Sequence, residues 1–582
     1  MKKSVSLGIV GLGGEGVVIL GTLLLKVGSR EFYHGKMQKF YDARIKGGSS
    51  AVFLSFSLEK EILPSENLDI LVCLNGKNLK EFRAELPIVS QTLFFLDDIP
   101  ENRPIFNEYS NALPFPFEKI CREKGATLQS KNMVALGVLS RILGFDKEEV
   151  IEEIKKFSKK YEEQNLACFE AGLEFSETSE LPSWQLLKPI PPQRDPAKGG
   201  MPGLQKIIID GNEAVVQAAL KVACTCLIAY PITPASEIME SLGPKLLSSG
   251  KVFVQAEDEI AAAGLCIGAS LGGAKSMVST SGPGLDLLME MLGLASQAEI
   301  PLVIVDVQRA GPATGMPTKT EQSDLFTAIY GGHGDTPRVV LAPYDTEGCY
   351  RLTIEAFNIS EYYQTPVILL SDQNLGQTLV STCDFTSKNY QIIERLKPDE
   401  KEKGNYRRYI ITPNFISPFA IFGTPGFCWQ TSGLTHQETG APASESAELQ
   451  QKMAEKRWKK LLPLEKRKDL VKTFGNPKSK IGIMSWGSSA KTVLESLQEQ
   501  GLLSKVKVCI PELLHPLPEE EIQSFLKNTK KLCICELNYS GQFARHLRAW
   551  IDLPKNTRIY SRAGGSPFTR SELKDWLSEV VK

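Results

Sequence analysis

A chain of 582 residues exceeds what a single hydrophobic core supports, so several domains are expected. Hydrophobic residues at 42%, charged residues at 23% and a formal net charge of -1 describe a multidomain globular protein and exclude both a disordered chain and a broad nucleic-acid-binding surface. Any recognition of charge must therefore be local.

The opening Met1-Lys-Lys and the apolar run to Leu25 superficially resemble a secretory leader. Glu15 and the glycines Gly11, Gly13, Gly14 and Gly16 interrupt that run, and no small-residue cleavage site follows, so a strand, a glycine turn and a helix account for it better. No other apolar segment is long enough to span a bilayer, which predicts a cytoplasmic protein without a membrane partner. Residues 1–185 alternate strand-like and helix-like segments, the pattern of a parallel sheet with crossover helices. The expected strands are 4–10, 51–57, 68–74 and 92–96, with helices over 16–27, 132–143 and a solvated surface helix over 147–164. Residues 186–204, rich in proline and glycine, read as an extended linker.

A second α/β block is expected over 205–385, opening at Ile207 with Asp210 or Asn212 as a helix cap and carrying strands at 275–280, 302–307 and 367–371. Periodicity weakens over the connecting segment 386–478, apart from a charged helix at 445–461. Three short strands at 480–486, 506–509 and 531–536 then predict a compact terminal α/β domain over 479–582. The 12 cysteines are scattered, and neither Cys224/Cys226 nor Cys533/Cys535 has the C-x-x-C spacing of zinc or iron-sulfur ligands. Buried, reduced thiols are expected, with no metal bound by this chain.

Five segments carry chemistry. Gly11-Leu-Gly-Gly-Glu-Gly16 follows a strand and opens a helix, so its backbone N–H groups suit a dinucleotide, a phosphate-bearing ligand such as coenzyme A, or a purely structural turn. Tyr230-Pro-Ile-Thr-Pro234 fixes the Thr233 hydroxyl between two prolines. In Gln255-Ala-Glu-Asp-Glu259 the acids either complement a helix dipole or supply a part-buried carboxyl able to share a proton with a ring nitrogen, and Glu259 lies nearest the helix. Ser279-Thr-Ser-Gly-Pro-Gly284 joins a strand to a helix as a ligand cradle. Arg309 follows a buried strand, with Thr314 and Thr318 in the next turn, and suits either bidentate grip of a carboxylate or a structural ion pair.

Together these segments resemble the alpha subunit of 2-oxoacid:ferredoxin oxidoreductases, in the form with an N-terminally fused gamma domain, of 2-oxoglutarate:ferredoxin oxidoreductase type. Glu536-Leu-Asn-Tyr-Ser-Gly-Gln542 and Gly564-Gly-Ser-Pro-Phe568 extend the resemblance to the C-terminus. It implies a Rossmann-like gamma domain, a thiamine diphosphate pyrimidine-side fold and a transketolase C-terminal-like domain. Glu259 would contact the aminopyrimidine, Thr233, Arg309 and Thr318 would hold the 2-oxo acid, and Tyr230, Pro231, Ile232, Ser281 and Gly282 would line the cofactor. Gly11, Gly13, Gly14 and Gly16 would be the coenzyme A turn. The resemblance further implies a beta subunit carrying magnesium and an iron-sulfur cluster, ferredoxin as acceptor, and an assembly of two alpha and two beta chains. The expected reaction is reversible conversion of 2-oxoglutarate and coenzyme A to succinyl-CoA and carbon dioxide. Pyruvate or a branched-chain 2-oxo acid is the alternative within this chemistry, and a noncatalytic nucleotide-binding scaffold the alternative outside it. Glu15 departs from the family's more usual glutamine, and a free carboxylate there would repel a phosphate.

Overall fold

The computed structural model describes residues 3–41, 48–58, 66–77, 79–83, 85–157, 159–178 and 206–581. The expected linker 186–204 lies outside them. The chain divides into two compact units, the first drawn from residues within 1–210 together with 377–385 and 569–572, the second from the remainder.

The first unit contains β1 (Ser4–Leu12), β2 (His34–Tyr41), β3 (Ser49–Ser57), β4 (Ile70–Cys73), β5 (Leu93–Asp97) and β6 (Ala112–Phe115). Among the described residues its sheet has the order β6-β5-β4-β1-β3-β2, continued by Leu379–Cys383 and Lys206–Ile209. The half from β1 to β6 is parallel, whereas β3 runs antiparallel to both β1 and β2, so the sheet is mixed rather than the expected parallel one. β1 is a run of apolar residues because it is central and buried on both faces. The helix Val17–Arg30 lays Leu20, Leu23, Leu24 and Val27 onto the core. The surface helix expected over 147–164 is instead two helices, Lys147–Phe157 and Glu162–Thr178, and the first buries Val150 and Ile154 in that core.

Lys206–Ile209, here β7, does not open the second block. It pairs with β14 (Leu379–Cys383), and β14 pairs with β2, so both strands complete the first sheet. The helix Gly211–Lys221 begins immediately after β7 and already belongs to the second unit. Asn212 sits in its first turn, and its amide donates to Pro234 O at 3.1 Å and to Glu237 at 3.0 Å; it anchors a loop where a cap was expected.

The second unit contains β8 (Cys226–Ala229), β9 (Val252–Gln255), β10 (Ser276–Thr280), β11 (Leu302–Gln308), β12 (Val339–Leu341) and β13 (Pro366–Asp372). Further along lie β15 (Val471–Gly475), β16 (Ile481–Ser485), β17 (Lys507–Pro511), β18 (Leu513–His515), β19 (Lys531–Glu536) and β20 (Thr557–Ser561). Its larger sheet has the order β18-β12-β13-β11-β10-β8-β9, parallel except for β18. The smaller has the order β15-β17-β16-β19-β20, two strands more than the sequence predicts. β15 and β20 are its edges and mix exposed with half-buried residues, so they lack the apolar run that marks β16, β17 and β19. The segment after β14 is secured by buried charge. Glu299 accepts from Lys456 Nζ at 2.5 Å and Lys460 Nζ at 2.9 Å, while Arg408 donates to Glu299 O at 2.6 Å. All 12 cysteines are free thiols, ten of them buried; Cys383 and Cys428 are exposed, contrary to the uniform burial expected.

Candidate functional site

The parallel strands β8, β10 and β11 end on one edge of their sheet, where open α/β sheets place ligands. From β8 the chain enters Tyr230-Pro-Ile-Thr-Pro234, in which Tyr230 is 41% exposed and Pro231, Ile232 and Thr233 are half-buried. Arg309 Nη1 donates to Thr233 O at 2.8 Å, and the Asn212 amide holds the next carbonyl, that of Pro234. Two side chains from distant segments thus fix the Thr233–Pro234 peptide and the peptide that follows it.

Asp258, not Glu259, caps the helix Glu259–Leu271, accepting from Ala261 N at 2.7 Å. That contact satisfies the structural role the sequence leaves open for these acids. Glu259 is only 3% exposed and turns toward the end of β10, where Thr280 Oγ1 donates to its Oε1 at 3.4 Å. Burial pushes the Glu259 carboxyl above its ordinary value; its own backbone N–H, Thr280 and the charge of Arg309 pull it back, while Asp258 pushes it further up. Gly284 closes the pocket, since a Cβ there would lie 2.1 Å from Thr280 Oγ1 and 2.2 Å from Glu259 Oε1. Gly284→Ala is expected to displace the Glu259 carboxyl and cost about 1–3 kcal/mol of stability with a larger loss of activity. Thermal unfolding and turnover of the assembled enzyme measure the two together; unchanged turnover would remove this contact from the site.

Ser281 and Gly282 follow β10 at the start of the short helix Gly282–Leu287. Ser281 is fully buried, and among the described residues its hydroxyl has no hydrogen-bond partner. Arg309, at the end of β11, is 8% exposed, and its Nε likewise lacks a partner. Its guanidinium is therefore held by one hydrogen bond to Thr233 O with donor capacity unspent. Burial lowers the pKa of Arg309, opposed by the charges of Asp324 and Glu259. The chain then folds back on itself: Met316 N donates to Ala310 O at 2.8 Å, and Ala310 N to Lys319 O at 2.9 Å. Thr318 lies half-buried on the returning limb.

The next stretch, 320–326, is where the two C-terminal motifs act. Glu536 accepts from the backbone N–H of Phe543 and Ala544, capping the helix Gln542–Trp550. Gln542 from the same helix donates to Ser323 O at 2.8 Å and accepts from Phe326 N at 3.0 Å. Gly565 N donates to Thr320 O at 2.8 Å, and a Cβ on Gly564 would lie 2.2 Å from that oxygen. Both motifs brace the segment that follows the Arg309 loop. Sequence reasoning gave them no such role and did not single out Asp306, Gln308, Gln322 or Asp324, which lie around the same loop. The only available signal was an aspartate inside the otherwise apolar run Leu302-Val-Ile-Val-Asp-Val.

In the first unit the turn Gly11–Gly16 leads from β1 into the helix Val17–Arg30. Gly16 takes φ +74°, and a Cβ there would lie 2.2 Å from Asn132 Nδ2. Glu15 does not point outward as a free charge. Its carboxylate accepts from Leu12 N at 2.7 Å and from Lys131 Nζ at 2.8 Å, and Lys131 also reaches Leu74 O and Asp97. The repulsion expected from this departure is therefore countered by Lys131, from the helix Lys131–Leu143. Burial pushes Asp97 up to about 6, against the opposing pull of Lys131.

Comparison with known proteins agrees with both units. Residues 6–175 match the family described as pyruvate ferredoxin/flavodoxin oxidoreductase, and residues 217–456 match its thiamine diphosphate-binding family. The chain is 34% identical over 343 residues to the 2-oxoglutarate synthase subunit KorA of Methanothermobacter marburgensis, covering 58% of this chain and 90% of the relative. It is 32% identical over 482 residues to 2-oxoacid:ferredoxin oxidoreductase 1, subunit alpha, of Sulfurisphaera tokodaii, covering 78% of this chain and 72% of that one. A solved structure of 2-oxoglutarate:ferredoxin oxidoreductase from Magnetococcus marinus, with 2-oxoglutarate, coenzyme A and succinyl-CoA bound, superposes over 100% of both chains with a TM-score of 0.87 at 33% identity. With a buried carboxyl, an arginine with unspent donors and the glycine turn all present on one such fold, the chain belongs to the 2-oxoacid:ferredoxin oxidoreductase alpha-subunit family.

Proposed function

We propose that this chain binds 2-oxoglutarate for oxidative decarboxylation with coenzyme A to succinyl-CoA, a reaction that runs reversibly. The observation that carries the reading is Arg309: buried, fixed through Thr233 O, and left with an unpartnered Nε at the strand ends. A buried guanidinium in that state is suited to a carboxylate, because the anion restores both the charge balance and the hydrogen bonds lost on desolvation. The 2-oxoglutarate bound by the Magnetococcus marinus protein supports the choice of acid. Thr233, whose carbonyl Arg309 holds, and Thr318, on the returning limb of the Arg309 loop, would hold the remainder of the substrate.

The residues present also fit the pyrimidine side of thiamine diphosphate, which when bound supplies the electron sink for loss of carbon dioxide. Glu259, its carboxyl favoured in the protonated form by burial, would share a proton with a ring nitrogen. The unpartnered Ser281 hydroxyl, the Gly282 backbone and the stretch Tyr230, Pro231 and Ile232 would line the ring. In the first unit, Gly11, Gly13, Gly14 and Gly16 would receive a phosphate of coenzyme A, with Glu15 already engaged by Lys131.

A beta subunit would complete the pocket, carrying magnesium and an iron-sulfur cluster that passes electrons to ferredoxin, in an assembly of two alpha and two beta chains in the cytoplasm. Exposed apolar side chains on the elements around this segment support such a covering chain: Val252 and Val254 on β9, Ile260 and Leu265 on the Glu259 helix, and Leu287 on the helix Gly282–Leu287. No helix among the described residues is long and apolar enough to cross a membrane. The test is a panel of 2-oxo acids with the purified two-chain enzyme, coenzyme A and a viologen acceptor. We expect kcat/KM for 2-oxoglutarate to exceed those for pyruvate and branched-chain acids at least about tenfold, a difference of about 1.4 kcal/mol. Preference for pyruvate would overturn the substrate assignment.

A further inference from the structure

Behind the glycine turn of the first unit, one ammonium serves two carboxylates. Lys131 opens the helix Lys131–Leu143 and is buried. Its Nζ donates to Glu15 Oε1 at 2.8 Å, to Leu74 O at 3.1 Å and to Asp97 Oδ2 at 3.2 Å, which fills the donor capacity of an ammonium. Asp97, at the end of β5, is fully buried and accepts from Glu118 N through Oδ1 at 3.2 Å. The other Glu15 oxygen, Oε2, accepts from Leu12 N at 2.7 Å, and a Cβ on Gly11 would lie 2.8 Å from it. The Glu15 carboxylate is therefore packed against the first residues of the turn, with its side chain still 18% exposed. Gly13 N donates to Gly48 O at 2.8 Å and Glu15 N to Leu12 O at 3.1 Å. Among the described residues this leaves the N–H groups of Gly14, of Gly16 and of the first turn of the helix Val17–Arg30 to meet a ligand.

Lys131 counters Glu15, but it does so for Asp97 at the same time. Among the described residues no other cation contacts either carboxylate, so one negative charge behind the turn is left unbalanced. We infer that Glu15 sets the affinity of this turn for coenzyme A: with Lys131 shared, part of the Glu15 charge faces an incoming phosphate and weakens the grip of the N–H groups. This rests on the reading that the turn receives a phosphate of coenzyme A. Lys131 is the positioning residue of the pair, since it draws the carboxylate back toward Leu74 O while Leu12 N holds its other oxygen. Burial pushes Asp97 up to about 6 against the pull of Lys131, which leaves it ionised in neutral solution. Burial works to lower the pKa of Lys131, but Glu15 and Asp97 raise it above its ordinary value, so the ammonium keeps its proton. Coenzyme A and succinyl-CoA carry the same phosphates. One excess charge at the turn therefore weakens both alike, and neither direction of the reversible reaction holds its product tightly.

The experiment measures the dissociation constants of coenzyme A and of succinyl-CoA by calorimetry on the assembled two-chain enzyme, without 2-oxo acid. Glu15→Gln keeps an acceptor for Leu12 N and leaves Lys131 on Asp97 and Leu74 O, so it withdraws the charge and preserves the turn. Both ligands should bind about three- to tenfold more tightly than to wild type, the worth of part of a charge a few ångströms away in a partly solvated site. A Glu15 with a merely structural role gives unchanged or weaker binding, and either result overturns the inference. Lys131→Met acts in the opposite sense: it strands two carboxylates and should weaken both ligands at least about tenfold. Adding Glu15→Gln to it should recover most of that loss, and a double variant that binds no better than Lys131→Met overturns the inference as well. If Lys131→Met does not assemble, Glu15→Gln decides alone. Gly13→Asp separates the two layers, because it places a new carboxylate on an exposed residue of the turn. Should neither Gly13→Asp nor Glu15→Gln change the binding of coenzyme A, the turn is not its site; should only Glu15→Gln be silent, the site stands and the role of Glu15 is wrong.

Discussion

Arg309→Ala in the assembled two-chain enzyme is expected to raise KM for the 2-oxo acid by roughly 10- to 150-fold, the worth of about 1.5–3 kcal/mol for hydrogen bonds to a charged group. The truncation removes the cation facing the substrate anion and also frees Thr233 O, which Arg309 Nη1 now holds at 2.8 Å. Both effects act on substrate placement. Cofactor binding should persist, because Glu259 and the Ser281–Gly282 turn keep their own supports in Thr280, Gly284 and Asp324. Arg309→Lys should recover part of the loss, keeping the charge but not the planar fork that can bind a carboxylate through two N–H groups. Steady-state kinetics with thiamine diphosphate titrated separately distinguishes these effects. Unaltered KM in Arg309→Ala would take the residue out of the substrate site and remove the observation on which the proposed function stands.

The strands that could be read in the sequence are those buried on both faces. β1, β11 and β13 are largely apolar runs, and a run of that kind announces itself without knowledge of its neighbours. β2 could not be read the same way: in His34-Gly-Lys-Met-Gln-Lys-Phe-Tyr41 only Gly35 and Met37 are buried, and polar side chains fill the remaining positions of the face. The partners of β7 and β14 were also hidden, since the pairing of β14 with β2 joins residues more than 300 positions apart and leaves no local mark. The same limit applies to the site. Thr233, Glu259 and Arg309 stand in short segments whose composition points to them, whereas Asp324 reaches the site only when the chain folds it onto Gly282. Glu536 and Gln542 were visible as a motif, yet their work, capping one helix and bracing residues 323–326, depends on contacts about 216 residues away for Gln542. Sequence thus located the chemistry at strand ends but not the second layer that holds it in place.

Glu259→Gln tests the other half of the proposed pocket, and here the expected loss is in turnover rather than affinity. A carboxyl acting as proton partner contributes about 10²- to 10⁴-fold to rate, and an amide cannot replace it because it neither releases nor accepts the proton at neutral pH. Glutamine is close in size, however, and its carbonyl oxygen can still accept from Thr280 Oγ1, the contact that holds Glu259 Oε1 at 3.4 Å. Asp258 continues to cap the helix through Ala261 N, so the fold and subunit assembly should be retained. The variant is therefore expected to bind substrate and assemble as wild type does while kcat falls at least about a hundredfold. Glu259→Asp offers the complementary comparison: it restores a carboxyl but withdraws it by one methylene from the Thr280 and Gly284 wall, so activity should recover only in part. Size-exclusion of the two-chain complex, followed by single-turnover reduction of the viologen acceptor, measures assembly and chemistry separately. Full turnover in Glu259→Gln would mean that a different acid, with Asp258 and Glu257 nearest in sequence, activates the thiamine ring, and the buried position of Glu259 beside Thr280 would then be structural.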